Sequence, residues 1–468
     1  MLRKNEEREG VVASVGAEGE GILKDEGIIV FVPFALPGEK IRYKVLKVKD
    51  KFAFGKVLEI LTPAEERVRP KCPAFGKCGG CRLQHVKYSN QLKIKEKNIE
   101  TCFAKIAGLK VSVSSCAKGD NEYRYRNNLQ LPVRKQNGQT VLGFYAENSH
   151  RVVPIEDCLI NAPWTSGIIN AAKAFMEEFG LEGYCEETGE GDVKEITVKD
   201  IKGNLIITLV SPRSNVKGLS RFPEIIKKFV KYTFSLYLNV NPHNNNVIYG
   251  EEFRLICGAP EYSAEMLGIK FKIGVTSFMQ VNNSVCSKLY SAAISLLKLD
   301  GSQTVIDAYS GAGVMTALLA LRAKKAIGIE VVPEAVHLAD ILKEQNGLGD
   351  KMENIPGRCE DELPGIITRE RAKGGEVNIV LDPPRKGCDI KVIEALIESG
   401  ADKIVYISCK PSTLARDVGL LVGSLIYSDG QLIKLKEYTP RYTVKTVKPF
   451  DMFAQTKHVE TLVLLCRN

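Results

Sequence analysis

The chain has 468 residues, of which 44% are hydrophobic and 26% charged, and a formal net charge of +9. That length exceeds one compact core and predicts roughly two to four domains, and the composition is that of a globular protein rather than a disordered or membrane one. The first residues are charged throughout, and the longest apolar run near them, Ile28 to Leu36, is broken by Pro33 and too short to cross a bilayer, so a cytoplasmic protein with no membrane partner is expected.

The front of the chain carries much of the imbalance: residues 1–100 hold 20 lysines and arginines against 14 aspartates and glutamates, which favours a polyanionic partner. From Gly10 to Leu61, short β-rich runs (Val11 to Val15, Ile28 to Phe34, Lys40 to Val48, Phe52 to Ile60) are punctuated by Gly, Pro and Asp-Glu turns. This spacing predicts a small five-stranded barrel of the OB type, with a basic, partly aromatic face suited to single-stranded nucleic acid. A linker follows from Glu59 to Pro73, then a knot of cysteines at Cys72, Cys78 and Cys81. Tyr88 to Ala107 reads as a helix with lysines along one side. Residues 112 to 260 read as strand-rich and irregular, with turns at Asn137-Gly138 and within Asn239 to Asn246. Beyond about Phe271, apolar strands alternate with helical stretches, which predicts a parallel, doubly wound sheet.

Within that last region, Val305 to Gly313 is an apolar strand running into a glycine turn that opens a helix, so Gly311 and Gly313 let the backbone approach a ligand closely. Seventeen residues beyond Gly313, a second strand ends in Glu330, whose carboxylate can accept hydrogen bonds from two ribose hydroxyls. A dinucleotide site would want a third glycine where Thr316 stands, whereas S-adenosylmethionine has no pyrophosphate and needs only the shorter Gly-x-Gly. Asp382-Pro383-Pro384-Arg385 follows a third apolar strand, at the sheet edge where open α/β folds bind their ligands. Cys409 ends a fourth, at the same rim, with Lys410 and Arg416 as candidate stabilisers of its thiolate. Glu460 opens the apolar run to Leu465, where burial would raise its pKa toward that of a useful base.

Thirteen cysteines in a reducing compartment point to metal or thiolate chemistry rather than disulfides. Three of them within ten residues signal a metal that needs a fourth ligand, and spacing alone leaves zinc and an iron–sulfur cluster open. A radical enzyme would want three residues between the first two cysteines, and this chain has five. A cytosine-5 methyltransferase would want a cysteine directly after the proline of its Asp-x-Pro motif, but Cys388 lies four residues beyond Pro384.

Five ordered motifs carry a closer resemblance: Phe278 to Asn282, Asp307 to Gly313, Leu381 to Arg385, Ser408 to Asp417 and His458 to Thr461. With them the chain resembles the RNA (uracil-5-)-methyltransferase family, most closely its RlmD/RlmCD-type members acting on 23S ribosomal RNA. The resemblance implies a Rossmann-like α/β S-adenosylmethionine-dependent methyltransferase domain (residues 266–468) and an N-terminal barrel like a TRAM domain (residues 1–61). It also implies a central β-rich iron–sulfur domain (residues 62–85 and 111–265), with residues 86–110 as a helix packed on the catalytic domain. It further implies that Gln280, Tyr309, Glu330 and Asp382 contact the cofactor, that Cys409 is the nucleophile and that Glu460 is the proton acceptor. The metal becomes a 4Fe-4S cluster with Cys158 as fourth ligand, zinc being the alternative. Family members can carry a polar cofactor contact where this chain has Val314, so that contact is not expected here. The expected partner is RNA, the expected state a monomer; methylation of transfer RNA and a non-catalytic role in ribosome assembly are the competing functions.

Overall fold

The computed structural model describes residues 2–428 and 430–468. Its first sheet has six strands rather than five: the run read as Val11 to Val15 divides into Glu7–Val11 and Ser14–Val15, and Gly21–Asp25 adds a strand that the named runs omit. Inward-facing Val30, Val32, Ile41, Tyr43, Val45 and Ala53 fill the core of this barrel, following the period of two along each strand. On its surface Phe31, Phe52 and Phe54 form a ring cluster with centroids 5.5 to 5.9 Å apart.

The helix Tyr88–Cys102 follows and passes into a single π-type turn over Phe103–Ala107. Its lysines do not form one exposed side, since Lys95 is buried and only 1% exposed. The Lys95 ammonium pairs at 2.5 Å with Asp451, which is also buried and accepts a 2.7 Å hydrogen bond from the Tyr88 hydroxyl. Gln91 and Gln455 bond through their side chains at 2.9 Å alongside. These contacts pin the helix to residues 451–455, five to nine positions before Glu460. Removing one member of such a pair strands the other charge in the core, which costs about 3–5 kcal/mol. Lys95→Met is therefore expected to lower the denaturant midpoint by a corresponding amount in equilibrium unfolding, and an unchanged midpoint would contradict the pairing.

The middle of the chain forms a seven-stranded sheet running from Asn128–Gln136 to Glu252–Cys257 in sequence. The irregular, strand-rich reading missed two helices, Thr165–Phe179 and Phe222–Phe229. Both bury apolar residues at helical spacing: Ile168, Ile169, Ala172, Phe175 and Met176 from the first, and Phe222, Ile225 and Ile226 from the second. They share one core with Leu131, Val198, Ile207 and Leu238 of the strands. Helices cover one face of this sheet. The other face is mixed: Gln130, Glu195, Thr197, Lys199, Thr208 and Asn239 are polar, while Ile201, Ile206 and Tyr237 form a small apolar cluster with Ile273 and Val275.

The last sheet is doubly wound, as its sequence texture predicts. Five parallel strands lie in the order Met352–Pro356, Lys325–Glu330, Thr304–Ala308, Val377–Leu381 and Lys403–Ser408, continued by Glu460–Arg467 and Tyr442–Phe450, which run antiparallel to their neighbours. Near-continuous apolar runs such as Val377–Leu381 suit strands buried on both faces. Among the described residues no helix is long and apolar enough to cross a membrane.

Candidate active site

Ends of neighbouring strands bring the candidate residues together. Tyr309, Asp382 and Cys409 directly follow three adjacent parallel strands, in which Ala308 pairs with Leu381 and Leu381 with Tyr406. Glu330 closes the next strand outward. Ser408 pairs with Thr461, so Cys409 and Glu460 flank one rung at the same end of two antiparallel strands. All five line a cavity of about 1490 Å³, together with Gln280, Gly311 and Arg385. The sheet's carboxyl edge is where such folds hold ligands, because the loops diverge there and leave a crevice.

The two glycines do different jobs. Gly311 has φ +55 and a side chain added there would meet nothing within 4 Å, so its backbone is open to the cavity. Gly313 has φ +80, and an added Cβ would lie 2.8 Å from that of Ala339, so it serves the close packing of two helices. Tyr309 also has a positive φ, 70°, unusual for an aromatic residue and consistent with the sharp turn it occupies. The Glu330 carboxylate accepts bonds from the Gly311 amide at 2.9 Å and the Val332 amide at 2.8 Å, which fixes it at the rim with lone pairs to spare.

Gln280 is positioned from the central sheet. The Asn127 amide side chain donates to the Gln280 carbonyl at 3.0 Å and its backbone amide to the Val281 carbonyl at 3.0 Å. Lys199 is buried and donates to the carbonyls of Val275, at 2.6 Å, and Ser277. The loop that carries Gln280 and the exposed ring of Phe278 is therefore clamped from another sheet.

Three carboxyls under the cavity are pushed up by burial: Asp307 to about 7, Asp382 to about 7 and Glu460 to about 8. For Glu460 the Asp382 charge adds to the effect of burial and the Arg385 charge opposes it. Glu460 is only 5% exposed, and neither it nor Asp382 accepts a hydrogen bond from a described residue. Cys409 is half-buried; burial and the Glu460 charge push its thiol up, while the charge of Arg385 and a hydrogen bond from it pull it down. The cation serving the thiol is thus Arg385. Lys410 and Arg416 are the candidates that the sequence offers, but Arg416 is committed to Asp417 at 2.6 Å and to the carbonyl of Lys386 at 3.1 Å. Arg385 stands in plain sight after Asp382-Pro383-Pro384, yet spacing alone gives no sign that this loop folds over the neighbouring strand end. Cys388 lies buried beside the Tyr406 hydroxyl at 3.5 Å, away from the cavity.

Cys72, Cys78, Cys81 and Cys158 line a second cavity, and the charges of Cys72, Cys78 and Cys158 each raise the pKa of the Cys81 thiol. The Cys78 sulfur accepts a 3.4 Å hydrogen bond from the Gly80 amide. Among the described residues no group of three or more His, Cys, Asp or Glu side chains is gathered as a metal site, so the four thiols are neighbours without being drawn together.

The profile of the tRNA (uracil-5-)-methyltransferase family matches residues 261–468, and that of the TRAM domain residues 6–58. An uncharacterized RNA methyltransferase of Clostridium acetobutylicum is 36% identical over 100% of this chain and 98% of its own length. The chain belongs to the RNA (uracil-5-)-methyltransferase family. Another uncharacterized RNA methyltransferase, from Halalkalibacterium halodurans, is 35% identical over 99% of this chain and 98% of its own length. The crystal structure of Pyrococcus abyssi tRNA (uracil-54, C5)-methyltransferase in complex with S-adenosyl-L-homocysteine shares the fold: TM-score 0.73, 23% identity, 98% of this chain and 100% of that one. The family is one of RNA-modifying enzymes on the S-adenosylmethionine-dependent fold, and this member carries the TRAM barrel at its front. The cavity fits such a cofactor: it offers the open backbone at Gly311, the fixed Glu330 carboxylate, and Asp382 without a hydrogen-bond partner among the described residues.

Proposed function

We propose that this enzyme methylates carbon 5 of a uridine in RNA, with 23S ribosomal RNA as substrate, Cys409 as nucleophile and Glu460 as proton acceptor. The observation that carries it is the placement of a half-buried thiol and a buried, unpaired carboxyl on two facing strands, each one position beyond the Ser408–Thr461 rung, in the wall of one large cavity. S-adenosylmethionine, when bound against Gln280, Tyr309, Gly311, Glu330 and Asp382, supplies an electrophilic methyl group; Gly313, expected beside it, packs on Ala339 instead and does not line the cavity.

Carbon 5 of uracil is too poor a nucleophile to take that methyl unaided. The Cys409 thiolate adds to carbon 6, the electrons of the 5,6 double bond move into an enolate shared between carbon 5 and the carbon 4 oxygen, and carbon 5 takes the methyl group as the methyl–sulfonium bond breaks and S-adenosylhomocysteine leaves. Glu460 then removes the proton left at carbon 5; the double bond re-forms and the sulfur–carbon bond breaks, returning the thiolate. Arg385 holds the thiolate before attack. Arg385→Gln is expected to lower kcat/KM about 10- to 100-fold at pH 7 and to shift the rise of activity to higher pH. A pH profile superimposable on that of the wild type would remove Arg385 from this role.

Single-stranded RNA is supported by the Phe31, Phe52 and Phe54 cluster on the barrel, since every base offers a face for stacking. The deciding experiment incubates the purified protein with unmodified 23S ribosomal RNA and transfer RNA transcripts and labelled S-adenosylmethionine, followed by nucleoside analysis. Labelled 5-methyluridine from the ribosomal transcript is expected. Label in another nucleoside would overturn the reaction, and label only in transfer RNA would overturn the substrate.

The same reading gives Cys72, Cys78, Cys81 and Cys158 to a 4Fe-4S cluster, with zinc as the alternative. Four thiols around one cavity are a suitable donor set, and the hydrogen bond from the Gly80 amide to the Cys78 sulfur is of the kind that tunes clusters. Its role is structural, since the methylation transfers no electron. Iron and sulfide determined after anaerobic purification, against zinc, distinguish the two.

A further inference from the structure

The second cavity, about 780 Å³, opens on the polar face of the central sheet and meets the catalytic cavity at Arg385 and Phe453, which line both. Glu195 lies in its wall, on a strand where Thr197 pairs with Gln130 and Glu195 with Pro132. This carboxyl is only 7% exposed and accepts no hydrogen bond from any described residue. Burial pushes it up to about 7, against the charges of Arg134 and Lys194.

Those two cations do not satisfy it. Arg134 donates to Glu186 at 2.8 Å, to the Tyr145 hydroxyl and to the Lys194 carbonyl. Lys194 spends its ammonium on the carbonyls of His243, at 2.6 Å, and Asn241, at 3.2 Å. The four cysteines line the same cavity, but no cysteine charge bears on the Glu195 carboxyl. An acidic side chain buried in a wall with no donor costs stability unless something arrives to bond it. The cavity has the size of a small-ligand site.

We propose that the end of this cavity lined by Glu195, Arg134 and Lys194, apart from the cysteines, is a second base-binding subsite, taking an unpaired guanine of the substrate RNA through the Glu195 carboxylate. The inference rests on the RNA-methylation reading above and extends it to specificity. An ionised carboxylate is acceptor-only and has two oxygens. Guanine alone among the four bases presents two adjacent N–H donors, N1–H and the N2 amino group, on its pairing edge. Adenine and cytosine set a ring-nitrogen acceptor beside their single amino group, and uracil flanks its one N–H with carbonyls. Unpaired bases read on that edge are the usual basis of sequence-specific RNA recognition. Continuity with the catalytic cavity lets one strand fill both, a uridine in one and a neighbour in the other.

The test uses the full chain and fluorescein-labelled RNA hexamers, each a uridine run with one guanosine, or one inosine at the same position, moved in turn along the strand. Inosine lacks only the N2 amino group. At one position the wild type is expected to bind guanosine about 10- to 100-fold more tightly than inosine, the usual effect of one hydrogen bond to a charged group. Glu195→Gln is expected to bind the two alike, and to raise KM for the 23S transcript with kcat and KM for S-adenosylmethionine unchanged. Equal binding by the wild type at every position overturns the proposal, even if the variant does not fold. Undiminished discrimination by the variant overturns it too. The wild type's methylation of the transcript is scored separately, so that a failure of the subsite and a failure of the parent reaction are told apart.

Discussion

Cys409→Ala is expected to take methylation below detection and to abolish any covalent complex with RNA, while leaving the fold and cofactor binding in place. Its loss removes the only step that makes carbon 5 electron-rich, so no residual pathway remains. Because the thiol is half-buried at a strand end rather than in the core, truncation leaves little cavity, and stability should shift by no more than about 1 kcal/mol. A 5-fluorouridine-substituted RNA gives the complementary result. Fluorine cannot leave as a proton does, so the wild type should accumulate an adduct whose mass is that of protein plus methylated RNA, and the variant none. Methylation by Cys409→Ala at a rate close to that of the wild type would end the covalent scheme.

Glu460→Gln has a different signature. Addition and methyl transfer precede the proton's departure, so the variant should still form the adduct with ordinary uridine but fail to release it, with kcat down about 10²- to 10⁴-fold. Turnover and adduct thus separate the base from the nucleophile. The pH dependence follows from the same carboxyl. Its pKa is raised from an ordinary 4.5 to about 8 by burial and by Asp382, and it must be ionised to act, so wild-type kcat should climb with pH toward and through about 8. Stability runs the other way. A carboxyl raised in the folded state favours its protonated form, so its contribution is fully present below about 4.5 and is lost as pH rises toward 8. Glu460→Gln cannot ionise and should gain on the wild type in stability as pH rises from 5 to 9, by on the order of 2–5 kcal/mol. A difference between the two proteins that does not change with pH would show that the carboxyl is not held in its neutral form.

The doubly wound sheet and the cavity-lining residues were legible because strand periodicity and the glycine turn are local signals. Apolar runs ending in Tyr309, Glu330, Asp382 and Cys409 are enough to align them on one edge once the strands are parallel. The barrel was legible for the same reason, apart from the division of its first strand and the short strand Gly21–Asp25, which was not read. Contacts across sheets were not. That Arg385 rather than Lys410 or Arg416 faces the thiol depends on how a loop folds over the next strand. Lys95 looked like part of a solvated basic stripe, and only its partner, 356 residues away, explains its burial. The helix Thr165–Phe179 had a readable pattern of paired apolar residues, but the β-branched runs around it outweighed that pattern in the reading.

The strand Glu460–Arg467 inserts between Lys403–Ser408 and Tyr442–Phe450 and hydrogen-bonds to both. Until it docks, the strand that presents the sulfur is paired on one side only, and the proposed proton acceptor is missing from the site. In the proposed scheme the proton acceptor therefore reaches the thiol only when this strand completes the sheet.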